Sequence, residues 1–426
     1  MKTNCRMAAS MLLRVASISI VFGLTGMTAA LAKDPYRWVQ YVSGGLEARA
    51  ITEDSACPVA LLNGTSVNML QRSSSGAQYP ILVCALPLPS GTTRIEIGGT
   101  NLQLPRNRPQ RILVIGDTGC RLKDKRVQAC NDPEAWPFRA GASHMSQLKP
   151  DLIMHVGDFH YRETPCPEGN VGCAGSPYGD SWEVWEQDFF APVGSLLRAA
   201  PWVMVRGNHE ECERGGRGWA RTLDPYAWSS DTGCLGPGDP YIVDLGGINI
   251  AVLDVSTADE DKANEQQAER YRKQFKSLEN LVPTDPLWIA QHRPIWAVEE
   301  TKPKLGGDNK TLALAASAGL PANVQAFLSG HHHVLEVLRY EGSLPLQIVS
   351  GNGGDDLSRN VPTHSDGLVI NGVRVKQGIA KTGVFGYSLL ERISDTDPLK
   401  WTFSGFDYQG RLLLKCELWG REAVCN

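Results

Sequence analysis

Between residues 111 and 350 short apolar runs recur along the chain: Ile112–Ile115, Leu152–Val156, Val203–Val205, Ile248–Leu253, Leu287–Ala290, Val324–Leu328 and Leu346–Val349. They are too short for buried helices and rich in β-branched residues, which predicts strands covered on both faces. Between them, Trp182–Ala199 and Asn264–Leu281 have helix-like composition, the second with charge over much of its surface. Alternation of strand and helix predicts a layered α/β fold. The chain before it reads differently. Tyr36–Val42, Val59–Leu62, Ile81–Leu86 and Thr93–Ile97 are short runs separated by Ser/Gly clusters, which predicts a small all-β domain over 33–105. A polar stretch twice punctuated by proline, 105–110, then reads as a linker into a larger domain, 106–426, whose first strand starts at Arg111. Residues 162–180 and 354–376 are expected to be long loops, and there is no internal repeat.

Composition narrows this picture. With 42% hydrophobic and 21% charged residues in 426, the chain can bury a large core, which excludes a disordered or collagen-like protein. A formal charge of −4 leaves no basic excess for a nucleic-acid backbone, so duplex nucleic acid is not an expected partner. Residues 1–32 carry Lys2, Arg6 and Arg14, then an uncharged run that ends in Ala30-Leu31-Ala32, the pattern of a secretory signal peptide. Its polar and glycine residues make it a weak membrane span, so no stable anchor is expected after removal. The remaining 39 Lys and Arg against 46 Asp and Glu give −7. Cys5 leaves with the signal and ten cysteines remain, an even number that suits an oxidising compartment. Sequence cannot fix their connectivity, but short loops close at least entropic cost. Local pairing is therefore expected: Cys57–Cys84, Cys120–Cys130, Cys166–Cys173, Cys212–Cys234 and Cys416–Cys425. No CxxC pair supports a thiolate metal site. The expected location is the periplasm or the exterior.

Chemistry gathers after the strand candidates, where ligand groups of open α/β sheets collect. Five runs lead into Gly116-Asp117-Thr118-Gly119, Gly157-Asp158-Phe159-His160-Tyr161, Gly207-Asn208-His209-Glu210, Gln291-His292-Arg293-Pro294 and Gly330-His331-His332-His333. One such turn means little. Five in one domain would place carboxylate, amide, phenol and imidazole donors for first-row metals along a single edge. If the last segment is extended, its two-residue period sends His331 and His333 to one side and His332 to the other. His144, His155 and His364 are isolated. Gly351–Asp356 follows a strand and is a candidate pocket wall, and Trp182, Trp185 and Trp296 read as cleft or core.

These five motifs, in this order, resemble the calcineurin-like binuclear metallophosphoesterases, and the tyrosine in the second is similar to the purple acid phosphatase branch. The resemblance spans about Arg111 to His333. It implies a layered β-sandwich flanked by helices, here preceded by the small all-β domain. It further implies two metal ions: Fe(III) on Asp117, Asp158, Tyr161 and His333, and a divalent Zn, Fe or Mn on Asp158, Asn208, His292 and His331, with Asp158 bridging. Members of the wider superfamily place a histidine ligand where this chain has Gly119, and Tyr161 would replace it.

The implied activity is hydrolysis of a small phosphate monoester by a metal-bound hydroxide, with His209 as candidate general acid. Glu210 is a candidate for orienting or charging that imidazole, and His160 and Arg293 for supporting the ligands. The family's further substrate-contacting histidines are absent, because Ile295, Trp296, Ala297 and Val298 stand in that place. A phosphodiesterase or nucleotide hydrolase on the same site stays open, as does, more distantly, a non-catalytic secreted binding protein. Oligomeric state is not legible.

Overall fold

In the first large sheet, alternate residues of each parallel strand face two different cores. Ile112 and Val114 of the strand Arg111–Ile115 point into the space between two sheets, while Leu113 and Ile115 point at a helical layer. Leu152 and Met154 against Ile153 repeat the split in Leu152–His155. The second sheet mirrors it, with Trp288 and Ala290 facing inward and Leu287 and Ile289 facing helices in Leu287–Ala290. Both faces of every central strand are dry, which is why these segments read as unbroken apolar runs.

The computed structural model describes Met1, 34–228, 233–299 and 306–426. Apart from Met1, the expected signal segment lies outside the described residues. In one sheet of 11 strands, Arg111–Ile115, Leu152–His155 and Trp202–Met204 run parallel at the centre. The other sheet has 8 strands, with Asn249–Val252, Leu287–Ala290, Val324–Ser329 and Leu346–Ser350 parallel. The helix Glu265–Leu281 covers the outer face of the second sheet through Ala268, Tyr271, Phe275 and Leu278. Its start is fixed by Asn264, whose side chain accepts from the Gln267 amide at 3.1 Å. The result is the α/β layered sandwich that the alternation predicted.

Three expectations need correction. Trp182–Ala199 is not one helix: it breaks into Trp182–Trp185, a π-helical turn Glu186–Phe190, Ala191–Val193 and a 3-10 turn Gly194–Arg198. Residues 354–376 are not all loop, because Val369–Ile370 and the start of Val373–Lys381 are paired strands. The N-terminal segment is all-β, yet it is not set apart. Tyr36–Val42 pairs in parallel with Trp202–Met204, so Tyr36–Val42, Gly45–Thr52, Leu82–Leu88 and Leu70–Ser73 finish the first sheet. One face of these strands joins the helical core through Trp38, Ile51 and Val83. Asp34–Asn426 accordingly forms one compact unit.

Two arginines, Arg49 buried and Arg72 half-buried, fasten this edge to the chain beyond the third motif. Arg49 donates to the carbonyls of Thr222 at 2.7 Å and Asp224 at 2.8 Å. Arg72 donates to those of Ala220 at 2.9 Å and Tyr226 at 2.7 Å. Cations thus meet the bare carbonyls at the end of the helix Gly216–Thr222. Five disulfides, Cys57–Cys84, Cys120–Cys130, Cys166–Cys173, Cys212–Cys234 and Cys416–Cys425, join the five neighbouring couples. The Cys120, Cys166 and Cys212 bridges tie loops that directly follow the strand-end motifs. Among the described residues, no helix is long and apolar enough to cross a membrane.

Candidate metal centre

The two sets of parallel strands end on the same side, and their loops are stitched to one another by backbone hydrogen bonds. The Asp117 amide donates to the Gly157 carbonyl at 2.9 Å, Gly330 to His292 at 3.0 Å, and Asp355 to Asp117 at 2.9 Å. Asp117, Asp158 and His331 adopt positive φ of 58°, 60° and 71°, a left-handed conformation that non-glycine residues seldom hold. Tight loops aim these side chains at the cost of local strain. The glycines before them leave no room: a Cβ at Gly157 would lie 2.8 Å from His292 Cγ.

Asp117, Asp158, Tyr161, Asn208, His209, His292, His331 and His333 all converge. The Tyr161 hydroxyl lies 3.0 Å from Asp117 Oδ1, 2.8 Å from Asp158 Oδ2 and 3.1 Å from His333 Nε2. His292 Nε2 lies 3.0 Å from Asp158 Oδ2 and 3.1 Å from Asn208 Oδ1. Ligand atoms of Asp158, His292 and His331 fall within 4.8 Å of one another. The expectation of an extended His331–His333 segment is wrong, since the strand ends at Ser329 and His331 turns left-handed. That turn, rather than a two-residue period, directs His331 and His333 to the cluster. His332 also lines the adjoining cavity, of about 660 Å³.

Several observations fit a pair of cations here. One phenolic proton cannot serve two carboxylates and an imidazole, so three acceptors around one oxygen mark a ligand set. Each histidine gives its outer N–H away: His292 Nδ1 to the Val156 carbonyl at 2.7 Å, His333 Nδ1 to that of Asp356 at 2.6 Å, and His331 Nε2 to Glu260 Oε2 at 2.7 Å. The other nitrogen of each ring is left free for a metal. Burial, with Asp117 and Asp158 beside it, pushes the Tyr161 phenol well above its usual range. Burial opposes a charge on His292, but Asp158 holds that imidazole up at about 9. Positive charge is what both corners lack. At Gly119 a Cβ would lie 2.6 Å from the Phe159 carbonyl oxygen and 3.0 Å from the Tyr161 ring. No side chain fits there while Tyr161 occupies the space.

The supporting residues differ from those expected. Glu210 does not orient His209. It is fully buried, and its carboxylate accepts from the amides of Phe159 at 2.8 Å, His160 at 3.1 Å, and Asp158 and Gly207 at 3.0 Å. It moulds the Asp158 loop instead. Burial pushes its pKa up, while four donors with none returned match an acceptor-only carboxylate. The group on His209 is Glu163, with Oε1 2.6 Å from Nδ1, and Arg214 lies beside both. Burial holds His209 well below the usual imidazole range. His160 turns away from the cluster, its Nε2 donating to the Gly179 carbonyl at 3.0 Å. Arg293 pairs with Glu260 and comes within 3.4 Å of His331 Nε2. His155 bonds Thr118 at 2.9 Å under the first motif, and Trp182, Trp185 and Trp296 are core.

Sequence reasoning missed Glu163, Asp188, Glu260 and Arg121, and it named the stretch Gly351–Asp356 without the role of Asp355. Asp188, on the π-helical turn, accepts from the Tyr161 amide at 2.8 Å and from Arg162 Nε at 2.6 Å. An unusual helical turn at a functional loop is a known association, but nothing in the local sequence announces it.

Two sheets packed face to face, with hard and borderline donors on loops beyond their parallel strands, define a metal-dependent hydrolase of the layered α/β class. The chain belongs to the calcineurin-like phosphoesterase family, whose profile matches residues 110–335. It is therefore a metal-dependent phosphoric ester hydrolase, and the family implies a binuclear centre. A purple acid phosphatase from yellow lupin (Lupinus luteus) seeds superposes with a TM-score of 0.53 at 14% identity, over 89% of this chain and 73% of that one. The structure of PhoD superposes with a TM-score of 0.53 at 13% identity, over 92% and 90%. Identities this low speak for the fold. A search of curated protein sequences finds no match.

Proposed function

We propose that this chain is an exported phosphatase of the purple acid type, hydrolysing phosphate monoesters. The observation that carries the reading is Tyr161, whose hydroxyl sits among Asp117, Asp158 and His333 at 2.8–3.1 Å while its ring and amide crowd the place of a side chain at position 119. A buried phenol so far above its usual pKa loses its proton only to a strongly polarising cation, which favours Fe(III) on Asp117, Asp158, Tyr161 and His333. Asn208, His292 and His331, sharing Asp158, suit a divalent ion. When bound, the two cations supply an activated water and stabilise the charge on both oxygens of an in-line displacement.

The protein's own groups do the rest. His209 faces the cavity, and Glu163 on Nδ1, with Arg214 against the ring, fixes the imidazole where it can carry a proton to the leaving alkoxide. Glu210 and Asp188 hold the loop of Asp158 and Tyr161 rigid while charge develops. The five disulfides and the leader-like start of the sequence support export to an oxidising compartment.

A visible spectrum with metal analysis on the purified chain, beside Tyr161→Phe, tests the reading. A charge-transfer band that vanishes in the variant is expected, together with faster turnover of a phosphate monoester than of a bis-ester. A colourless protein holding two divalent ions would move the assignment to a general metallophosphoesterase. Preference for the bis-ester would make it a phosphodiesterase.

A further inference from the structure

The ring of Tyr161 has two close neighbours. The His209 imidazole lies against it, tilted, with ring centroids 3.8 Å apart. The Arg121 guanidinium carbon stands over the ring, 4.9 Å from its centroid. Arg121 is held there by Asp355: its Nε is 2.9 Å from both carboxylate oxygens, and Nη2 makes a further bond to Oδ2. Both residues are buried, at 6% and 0% exposure. The far end of the pair reaches the metal side, since Asp355 Oδ2 is 3.3 Å from His333 Nε2, the nitrogen that this reading gives to the iron. A permanent dipole therefore lies along the Tyr161-to-His333 direction, positive at the ring and negative beside the ligand nitrogen.

We propose that the Arg121–Asp355 pair is a fixed electrostatic clamp on the phenolate ligand, setting how readily Tyr161 gives electron density to the ferric ion. The inference rests on the ferric–phenolate reading above. Its sign follows from charge placement. Absorption of visible light moves an electron from the ring toward the iron, that is, away from a cation and toward an anion. Both ends of the pair oppose that displacement, so both raise the energy of the transition. The low-dielectric, fully buried setting leaves the dipole little screened. Stability alone does not explain the arrangement, because a buried ion pair of this kind often stabilises no more than apolar residues of the same volume.

The double variant Arg121→Gln/Asp355→Asn replaces the ion pair by a neutral hydrogen-bonded pair and leaves no unpaired buried charge. Its charge-transfer maximum is expected at longer wavelength than that of the unaltered protein, by on the order of tens of nanometres. If the double variant fails to hold iron, Arg121→Lys carries the test. It keeps a partner for Asp355 but withdraws the guanidinium from the ring, and a smaller shift in the same direction is expected. An unmoved maximum in an iron-loaded variant overturns the clamp while leaving the phosphatase reading intact. An unaltered protein that binds two metals without a tyrosine-dependent band overturns the ferric–phenolate reading, and the clamp with it.

Discussion

The two halves of the metal centre are built on different terms. Around Tyr161 the bracing is internal: Asp117 and Tyr161 show no exposed surface, His333 keeps a little, and the acids behind them, Asp355 and Asp188, are each matched to a buried arginine, Arg121 and Arg162. Around His331 the surroundings are looser. Its outer nitrogen leans on Glu260, a side chain 43% exposed at the cavity wall, and Glu260 leans in turn on Arg293. Burial opposes charge on Glu260, yet His331 and Arg293 keep it well below the usual carboxylate range. The difference teaches that, on the proposed ligand assignment, Asp158 would join a closely braced environment to one supported by groups nearer the solvent, with His209 at the boundary.

The largest effect is expected at that boundary, where His209 lies tilted against Tyr161 yet faces the cavity. Replacing His209 with Ala should lower kcat for a phosphate monoester by about 10²–10⁴-fold while both metals and the visible band remain. Glu163→Gln keeps the imidazole but weakens its hold, and a loss of roughly 10-fold is expected. Steady-state kinetics with metal analysis checks both. Loss of metal in His209→Ala would show that the residue belongs to one half rather than standing between them.

Glu260→Gln sharpens the comparison from the open side. The variant retains a hydrogen-bond acceptor for His331 but removes the charge that raises the basicity of the imidazole. Affinity for the divalent ion should fall by about 10- to 100-fold, measured by competition with a chelator. The Tyr161 band should persist, because none of its ligands touches Glu260. A band lost together with the divalent ion would mean that the two halves assemble as one.

Much of this was legible in the sequence, for a physical reason. Strands with both faces dry cannot alternate, so each central strand announces itself as an apolar run, and the ligands follow at the run's end. Asp117, Asp158, Tyr161, Asn208, His292, His331 and His333 are all readable that way. The braces are not. Arg121 meets Asp355 across 234 residues and His331 meets Glu260 across 71, and each of those acids sits in a loop with no local signature. Glu210 was assigned to the wrong partner because adjacency in sequence suggested His209, whereas the turn at 208–210 sends its carboxylate back toward the amides of the second motif. The strand Leu412–Trp419 escaped for the opposite reason: it alternates exposed and buried positions, not the unbroken run that marks a strand with two dry faces.

The smallest expected effect concerns a carboxyl that lacks what the sealed half supplies. Glu336 lies in the strand Leu335–Tyr340, a few residues beyond His333, and is buried, with no cation against it among the described residues. One oxygen accepts from the Val298 amide at 3.1 Å, and the other has no partner among the described residues. Burial pushes its pKa up to about 8. Its folded value thus exceeds the unfolded value of about 4.3, so the folded protein binds a proton that the unfolded chain has released. The stability linked to that proton is fully present below about pH 4.3 and is lost as the pH rises toward 8. Glu336→Gln keeps the shape and the amide contact without an ionisable group. Thermal denaturation should show the variant gaining steadily on the unaltered protein between pH 5 and pH 8. A constant difference across that range would mean that a counter-charge reaches Glu336 in solution, and that this carboxyl is as well compensated as those of the sealed half.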